Sequence, residues 1–430
     1  MALLTAQRPT SRRPATPSPL ALVACPDARP PAYQAAAGLA RSGGLGALVT
    51  GYYYGGRGPL TAVARDLVPC RFAAWRKALM RRHQRGIPAH KVVGVPEYDV
   101  SLAVERRLGV ANASRLARLR TDRFDRRVAR EVERRRPDAA LVFSDVGSAH
   151  TLPACRRLGI PAILSMVHGE VVEERDLLRS LDPREVRRYL GGPSLDLDQL
   201  AWLHARRLRD LDLADLVLVP SDHIAARLAE RGLPTDKVRV VPYAADARRF
   251  RPVDKTYDDN CIFLFAGAIS ERKGVADLLA AWRAVRRPGW RLQLLGAPPG
   301  DPSMLAELPD DVQLLGRVAH AEVPAAMAAA DVFVFPSLFE GSAVVTYEAL
   351  ASGLPCVVTS AAGSVARDGV EGFVVPGRDP ATLADRLRRL GSDAVLRRSM
   401  AAAARRRAEA FTWDRYRASI VGAVDQLVGH

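Results

Sequence analysis

The sequence is poor in cysteine, lysine and aromatic residues, and each shortage argues against a class of protein. Its 5 cysteines (Cys25, Cys70, Cys155, Cys261 and Cys356) are scattered, odd in number and without a C-x-x-C pair. That argues against a disulfide framework or a zinc finger and fits a reducing, cytoplasmic setting. Phe, Trp and Tyr together make up 6% of the chain. With no stacking platform or recognition motif, nucleic-acid binding would rest on charge alone, and none is expected. No G-x-G-x-x-G follows a strand, so a dinucleotide dehydrogenase lacks its fingerprint. Long apolar runs are missing too. The longest stretch poor in charge, 332–366, carries Glu340, Glu348, Pro336 and Pro355, which a lipid-exposed helix would not tolerate. Leu22-Val23-Ala24-Cys25 has the look of a lipobox, but the apolar run before it is short and broken by Pro17 and Pro19, so it reads as a buried strand.

What is present is positive charge and a regular alternation. The 430 residues hold 63 Lys+Arg against 47 Asp+Glu, a net of +16, and lysine occurs only at Lys77, Lys91, Lys237, Lys255 and Lys273. A basic surface suits nucleic acid, anionic lipid or a phosphorylated substrate, and composition alone does not choose among them. Residues 1–19, rich in Arg, Pro, Ser and Thr, read as a disordered lead-in. Beyond them, short apolar runs alternate with helical patterns. Leu20–Cys25, Gly46–Thr50, Ala139–Ser144, Ala162–Val167, Leu216–Pro220 and Val238–Tyr243 are strand-like. Ala32–Ser42, Arg123–Arg136 and Leu200–Leu213 are helical. The alternation restarts at Cys261–Ala266 and runs through Trp290–Leu295, Val312–Leu315, Val332–Pro336, Pro355–Thr359 and Gly372–Val375. Helices are predicted there at Val275–Val285, Glu322–Ala329, Ser342–Ala351 and Ala381–Leu390. Continuous apolar strands separated by helices predict parallel sheets covered on both faces. The expected fold is α/β, with two doubly wound Rossmann-like domains, 20–245 and 246–410, facing each other across a cleft. Residues 411–430 are expected to pack back on the first domain.

Two segments carry chemistry. In Phe335-Pro-Ser-Leu-Phe-Glu340-Gly-Ser-Ala-Val-Val-Thr-Tyr-Glu348, a buried strand leads through an acidic loop into a helix. The helix start, at Gly341, Ser342, Ala343 and Val344, offers backbone N–H groups and a positive dipole end suited to a diphosphate. Eight helical residues span about 12 Å, so Glu340 and Glu348 can reach opposite ends of a nucleotide-sugar. In Gly267-Ala-Ile-Ser-Glu-Arg272-Lys273-Gly274, two cations follow the carboxyl end of a strand, the edge where open α/β sheets bind ligands. There they could neutralise charge developing on a departing diphosphate.

With these motifs in place the C-terminal half resembles the nucleotide-sugar domain of glycosyltransferase family 4, retaining enzymes of the GT-B fold. Gly316-Arg317-Val318, Ala330-Asp331-Val-Phe-Val-Phe-Pro336-Ser337, Gly363-Ser364, Asp368-Gly369 and Phe411-Thr-Trp413 add to the match, in order, over roughly 205–425. The N-terminal half is similar more loosely, through Tyr33-Gln34, Met166-Val167-His168-Gly169 and Ala214-Asp215. The resemblance implies that Glu348 bonds ribose hydroxyls and that Glu340 holds the donor sugar. It further implies that Arg272, Lys273 and the amides of Ser342 to Val344 take the diphosphate, that Gly267 lies in the donor loop, and that Gly316, Arg317 and Val318 lie beside the base. His168 would face the donor sugar from the N-terminal, acceptor-side domain. The implied activity is transfer from a UDP-, GDP- or ADP-sugar to a hydroxyl of a glycan, lipid-linked or small-molecule acceptor, with retention, without a cofactor and without a metal. A peripheral contact with the inner face of a membrane would follow for a lipid-linked acceptor. Asp196-Leu-Asp198 and Asp210-Leu-Asp212 match the D-x-D of metal-dependent transferases but lie in charged helical stretches and read as solvated faces. The chain departs from the family at Ala268, where an arginine is usual, at Ala244 in the hinge, and at Pro26–Pro31, which replaces a double-glycine loop. An epimerase or phosphorylase on the same architecture, or a degenerate nucleotide-sugar-binding subunit, remains an alternative at this stage. Tyr52-Tyr53-Tyr54-Gly-Gly-Arg57, Arg81-Arg82 and Glu97 are candidates on the acceptor side.

Overall fold

A computed structural model describes residues 18–27, 29–54, 82–108, 113–191, 195–256, 258–299 and 301–429. Most of the N-terminal lead-in, Gly55, Gly56, Arg57, Cys70 and Arg81 lie outside the described residues. Two sheets organise the molecule. The first comprises β1 (Ala21–Ala24), β2 (Leu45–Thr50), β3 (Val92–Gly94), β4 (Ala139–Phe143), β5 (Ala162–Ser165), β6 (Leu216–Val219) and β7 (Val238–Val240), in the order β3-β2-β1-β4-β5-β6-β7. The second comprises β8 (Cys261–Ala266), β9 (Trp290–Leu295), β10 (Val312–Gly316), β11 (Val332–Phe335), β12 (Cys356–Thr359) and β13 (Gly372–Val375), in the order β10-β9-β8-β11-β12-β13. Every strand pairing is parallel. Strands such as Ala21–Ala24 and Val332–Phe335 are buried along their whole length, as a sheet covered on both faces requires. The lipobox-like segment thus falls on β1, an interior strand of the first sheet, and the buried residue Cys25 that follows it.

Both orders reverse direction once, between β1 and β4 and between β8 and β11. At such a switch point neighbouring connections leave to opposite faces and open a crevice beyond the carboxyl ends of the strands. The crevice of the second sheet is bounded by the loops 267–274 and 336–343, the two segments singled out in the sequence. β7 stops at Val240, short of the expected Tyr243. Val241 N–H still bonds the Val219 carbonyl at 2.8 Å, but Pro242 has no N–H to extend the ladder.

The last helix, Trp413–Val428, leaves the second domain and lies on the helix Pro30–Arg41 of the first. Tyr416, Ile420, Ala423 and Val424 join a core cluster with Ala32, Tyr33, Leu141 and Ile163. Ile420 is 1% exposed. Ile420→Ala should cost about 2–4 kcal/mol through the lost side chain and the cavity left behind. Denaturant unfolding should register the loss in the N-terminal domain, although the residue lies near the C-terminus.

Candidate nucleotide-sugar site

The loop after β8 closes with a short 3₁₀ turn, Glu271–Lys273, stopped by Gly274 at φ 67°. Glycine is required there because a side chain would run into the Pro336 carbonyl as well as into left-handed strain. The loop after β11 is clasped to this turn. Leu338 N–H donates to the Arg272 carbonyl at 2.9 Å, and Ser337 Oγ donates to the same oxygen at 3.1 Å. Thr359 Oγ1 in turn donates to the Ser337 carbonyl. These bonds bring Lys273 Nζ into direct contact with Glu340 Oε1, with Arg272 Nη1 3.8 Å from the same oxygen. Lys273 also lies over the Phe335 ring at 5.1 Å. Burial, and after it the adjoining Arg272 guanidinium, push the Lys273 ammonium well below its usual range, while the touching carboxylate works in the opposite sense. The two carboxylates foreseen in the sequence therefore differ in setting. Glu340 is engaged with a cation, whereas Glu348, 9% exposed on the helix Val344–Ala351, meets His320 Nε2 at 2.9 Å.

The helix begins later than expected. Gly341 and Ser342 do not open it; it starts at Val344 with Ala343 as its uncapped N-cap. Ser342 Oγ donates to the Gly363 carbonyl at 2.7 Å, and Ala343 N–H donates to the Ala362 carbonyl at 3.0 Å. Those bonds hold the two residues against the neighbouring loop, so the Ala343 amide is already committed and is not free for a diphosphate. Gly316 sits in the left-handed region at φ 68° and its carbonyl accepts from Gly296 N–H at 2.9 Å. Arg317 is exposed and Val318 half-buried. The Gly267 amide donates to the Leu295 carbonyl at 2.9 Å.

His168 comes from the other domain, two residues beyond Met166, and faces this site. Gly341 makes the approach possible, since a Cβ there would lie 2.5 Å from the Val167 carbonyl oxygen. Ser221 Oγ donates to the Gly341 carbonyl at 2.9 Å, a further bond between the domains. His168 Nδ1 lies 2.8 Å from the Gly169 carbonyl, an acceptor, so Nδ1 carries the proton and Nε2 presents a lone pair. Nε2 is buried without a hydrogen-bond partner, 3.9 Å from Asp145 Oδ1. Burial, reinforced by the Arg207 guanidinium, lowers the His168 pKa to about 4.

Behind His168 lies a charge network that the sequence did not announce. Arg207 Nε bonds Asp145 Oδ1 at 2.8 Å and Arg207 Nη1 bonds Glu174 Oε2 at 3.2 Å. Glu174 also accepts from Tyr189 Oη at 2.8 Å and pairs with His204 at 2.8 Å. Asp145 is held at φ 78°, a strained conformation for a residue with a side chain. Although burial acts against it, the Arg207 charge keeps the Asp145 carboxyl well below the usual range. Its place just after β4 was a legible signal, the strand-end rule applied to one more strand; Arg207, in mid-helix, gave none. Asp210, expected on a solvated face, is instead fully buried and accepts from Asp145 N–H at 3.2 Å. Asp196 caps the helix Leu197–Leu213, accepting from Gln199 N–H at 2.6 Å.

Between the domains is a cavity of about 380 Å³, lined by His168, Glu174, Tyr189 and Arg207 on one side and Arg272 and Phe339 on the other. A larger hollow of about 930 Å³ beside Arg286, Arg287 and Asp311 lies at the amino ends of β9 and β10, the edge where open α/β sheets do not bind ligands.

The folding pattern and this interdomain site define a two-domain α/β protein of the GT-B class. The family model "Glycosyltransferase Family 4" matches residues 72–249, and "Glycosyl transferases group 1" matches 260–393. Each half of the chain is thus similar to a domain of the glycosyltransferases. Among its relatives, a D-inositol 3-phosphate glycosyltransferase from Acidothermus cellulolyticus is 29% identical over 300 residues, 63% of this chain and 62% of that protein. One from Geodermatophilus obscurus is 34% identical over 244 residues, 48% of this chain and 53% of that protein. The chain thus spans little more than half the length of these relatives. Anabaena HepE, solved with UDP and glucose, superposes with a TM-score of 0.61 at 15% identity, covering 95% of this chain and 100% of the other. Sucrose-phosphate synthase from Thermosynechococcus elongatus gives 0.60 at 17%, covering 96% and 99%. Among the described residues no helix is long and apolar enough to cross a membrane.

The depressed His168 pKa has a stability consequence. Between pH ~6.5, the unfolded value, and about 4, the unfolded chain binds a proton that the folded one refuses. This group therefore subtracts stability as pH falls through that window, by ~3 kcal/mol once pH is below both values. His168→Gln should flatten the pH dependence of unfolding between pH 7 and 4 relative to the wild type; parallel curves for the two proteins would contradict the assignment.

Proposed function

We propose that this chain is a retaining, metal-independent glycosyltransferase that moves a sugar from a nucleoside diphosphate sugar to an acceptor hydroxyl. The observation that carries the reading is the cluster of Arg272, Lys273 and Glu340 at the switch point of one sheet, from which Arg272 shares the interdomain cavity with His168 of the other domain. Arg272 and Lys273 take the diphosphate, and the Val344 end of the helix adds its positive dipole. The Ser342 amide assists, while the Ala343 amide does not. Once bound, the diphosphate supplies the negative charge that keeps Lys273 protonated despite its burial. Glu340, released in part from Lys273, accepts from sugar hydroxyls. His168, neutral and proton-free at Nε2, accepts from another. Glu348 holds the ribose and the 316–318 loop borders the base.

As the glycosidic bond breaks, charge grows on the leaving phosphate and positive character develops at the anomeric carbon. Arg272 and Lys273, already in position, stabilise the former. The acceptor hydroxyl attacks from the face the diphosphate leaves, and the leaving phosphate oxygen takes its proton. No protein nucleophile enters the balance, and the side chains contribute alignment and charge. The interdomain contacts at Gly341 and Phe339 exclude water that would otherwise hydrolyse the donor.

The D-inositol 3-phosphate glycosyltransferases among the relatives suggest a polyol phosphate as one acceptor class, and HepE, solved with UDP, suggests a uridine nucleotide. A glycan or lipid-linked acceptor, met by peripheral contact at the inner face of a membrane, is the other class that the net charge of +16 favours. The test is a transfer screen of UDP-, GDP- and ADP-sugars against inositol phosphates, glycans and lipid extracts, with EDTA present. Transfer with retention at the anomeric carbon is the expected result. Lys273→Ala and Glu340→Gln should each lower kcat/KM by about 10²–10³, as loss of preorganised charge does, with folding intact by circular dichroism. Donor turnover without any acceptor, or full activity in both variants, would sink the proposal.

A further inference from the structure

Beyond β7 the chain crosses between domains through a tight turn at 246–250. Arg249 and Phe250 N–H both bond the Asp246 carbonyl, at 3.0 and 2.8 Å, and Phe250 is buried in the core of the C-terminal domain. The turn is fastened to the helix that bears Glu348. Arg405 Nη1 donates to the Ala247 and Phe250 carbonyls at 3.3 and 3.2 Å and to Ala351, the last residue of that helix, at 2.8 Å. From the same turn, Arg249 Nη1 reaches His320 Nδ1 at 2.9 Å, and its other terminal nitrogen donates to the His320 carbonyl. His320 Nε2 is in turn 2.9 Å from Glu348 Oε1.

The direction of this relay follows from its chemistry. A guanidinium only donates, so His320 Nδ1 accepts, Nε2 carries the proton, and the imidazole donates to the carboxylate. Arg249 therefore fixes the tautomer that Glu348 needs. The ring also stands edge-on to Phe250, with centroids 6.0 Å apart. Without this partner Glu348 would have several rotamers to choose from, and a ligand would have to bear the cost of selecting one. With it, Oε1 is occupied and Oε2 is left to a ligand hydroxyl.

We infer that His320 and Arg249 are positioning residues for Glu348, orienting its carboxylate toward the ribose from the interdomain crossover. The inference rests on the proposed ribose role of Glu348. It makes a specific demand: the two residues should affect recognition of ribose hydroxyls and leave the rest of nucleotide binding alone. His320 is 55% exposed at its side chain, so its replacement removes little packing.

Calorimetric titration of UDP, GDP and ADP, each beside its 2′,3′-dideoxy counterpart, tests this on the full chain. The wild type should prefer the ribose form of whichever nucleotide it binds. His320→Ala and Arg249→Ala should each weaken the ribose form by up to about tenfold, the scale of one hydrogen bond to a charged group, and leave the dideoxy form unchanged. His320→Gln, which keeps a donor at Nε2, should restore much of the preference. If Glu348→Ala abolishes the preference while His320→Ala and Arg249→Ala keep it, the positioning role is wrong and the ribose role stands. Equal weakening of both nucleotide forms would also overturn the inference, since it signals general disturbance of the site. If the wild type has no preference, or Glu348→Ala retains it, the ribose reading fails and the relay with it.

Discussion

The site depends on a clasp between two loops. β8 and β11 are neighbours in a parallel sheet, yet their connections leave toward opposite faces, so a crevice opens where both strands end. The Arg272 carbonyl, accepting from Leu338 N–H and Ser337 Oγ, ties the two loops together across that crevice. Once it is made, Lys273 and Glu340 have nowhere to go but toward each other. Pro336 presses on Gly274, and Gly341 presses on the opposite domain, so neither position has room for a side chain. Backbone bonding comes first in this arrangement, and the charges inherit their places from it.

The two walls of the cavity differ in electrical character. On the C-terminal side Arg272 lines the cavity with Glu340 no nearer than 3.8 Å, while Glu340 is in direct contact with Lys273, so the guanidinium leaves that wall cationic. On the N-terminal side Arg207 is matched by Asp145 and Glu174, and His168 is kept neutral by burial and by Arg207 itself. An anion entering the cavity is therefore drawn to one wall, and the other offers a hydrogen-bond acceptor to a neutral ring. That asymmetry is the division expected of a charged leaving group on one side and a sugar on the other. The strained backbone at Asp145 is maintained by the buried pairs around it.

Much of this was legible in the sequence. Continuous apolar runs identified β1, β4, β8, β11 and β13 because strands buried on both faces have no polar alternation to obscure them. Short edge elements such as β3 escaped notice, being only half-buried. Arg272, Lys273, Glu340 and Glu348 were visible because chemistry and chain position coincide at strand ends and helix starts. His320 and Arg207 were not, since each acts through a partner far along the chain and neither sits in a motif. The helix start was misjudged by two residues because side-chain and amide bonds from Ser342 and Ala343 to the 362–363 loop compete with the first helical turn, and no local pattern reveals a partner twenty residues away. Asp210 shows the same limit: an acid in a charged helical stretch looks solvated until the neighbouring loop is folded over it.

The central claim is that the clasped loops grip a pyrophosphate, and the affinity of nucleoside diphosphate relative to the matching monophosphate measures that grip directly. A protein organised in this way binds the diphosphate at least tenfold more tightly, roughly one charge-assisted contact, and Lys273→Met erases most of the difference while leaving the monophosphate where it was. Equal affinities for the two nucleotides in the unaltered protein would contradict the account.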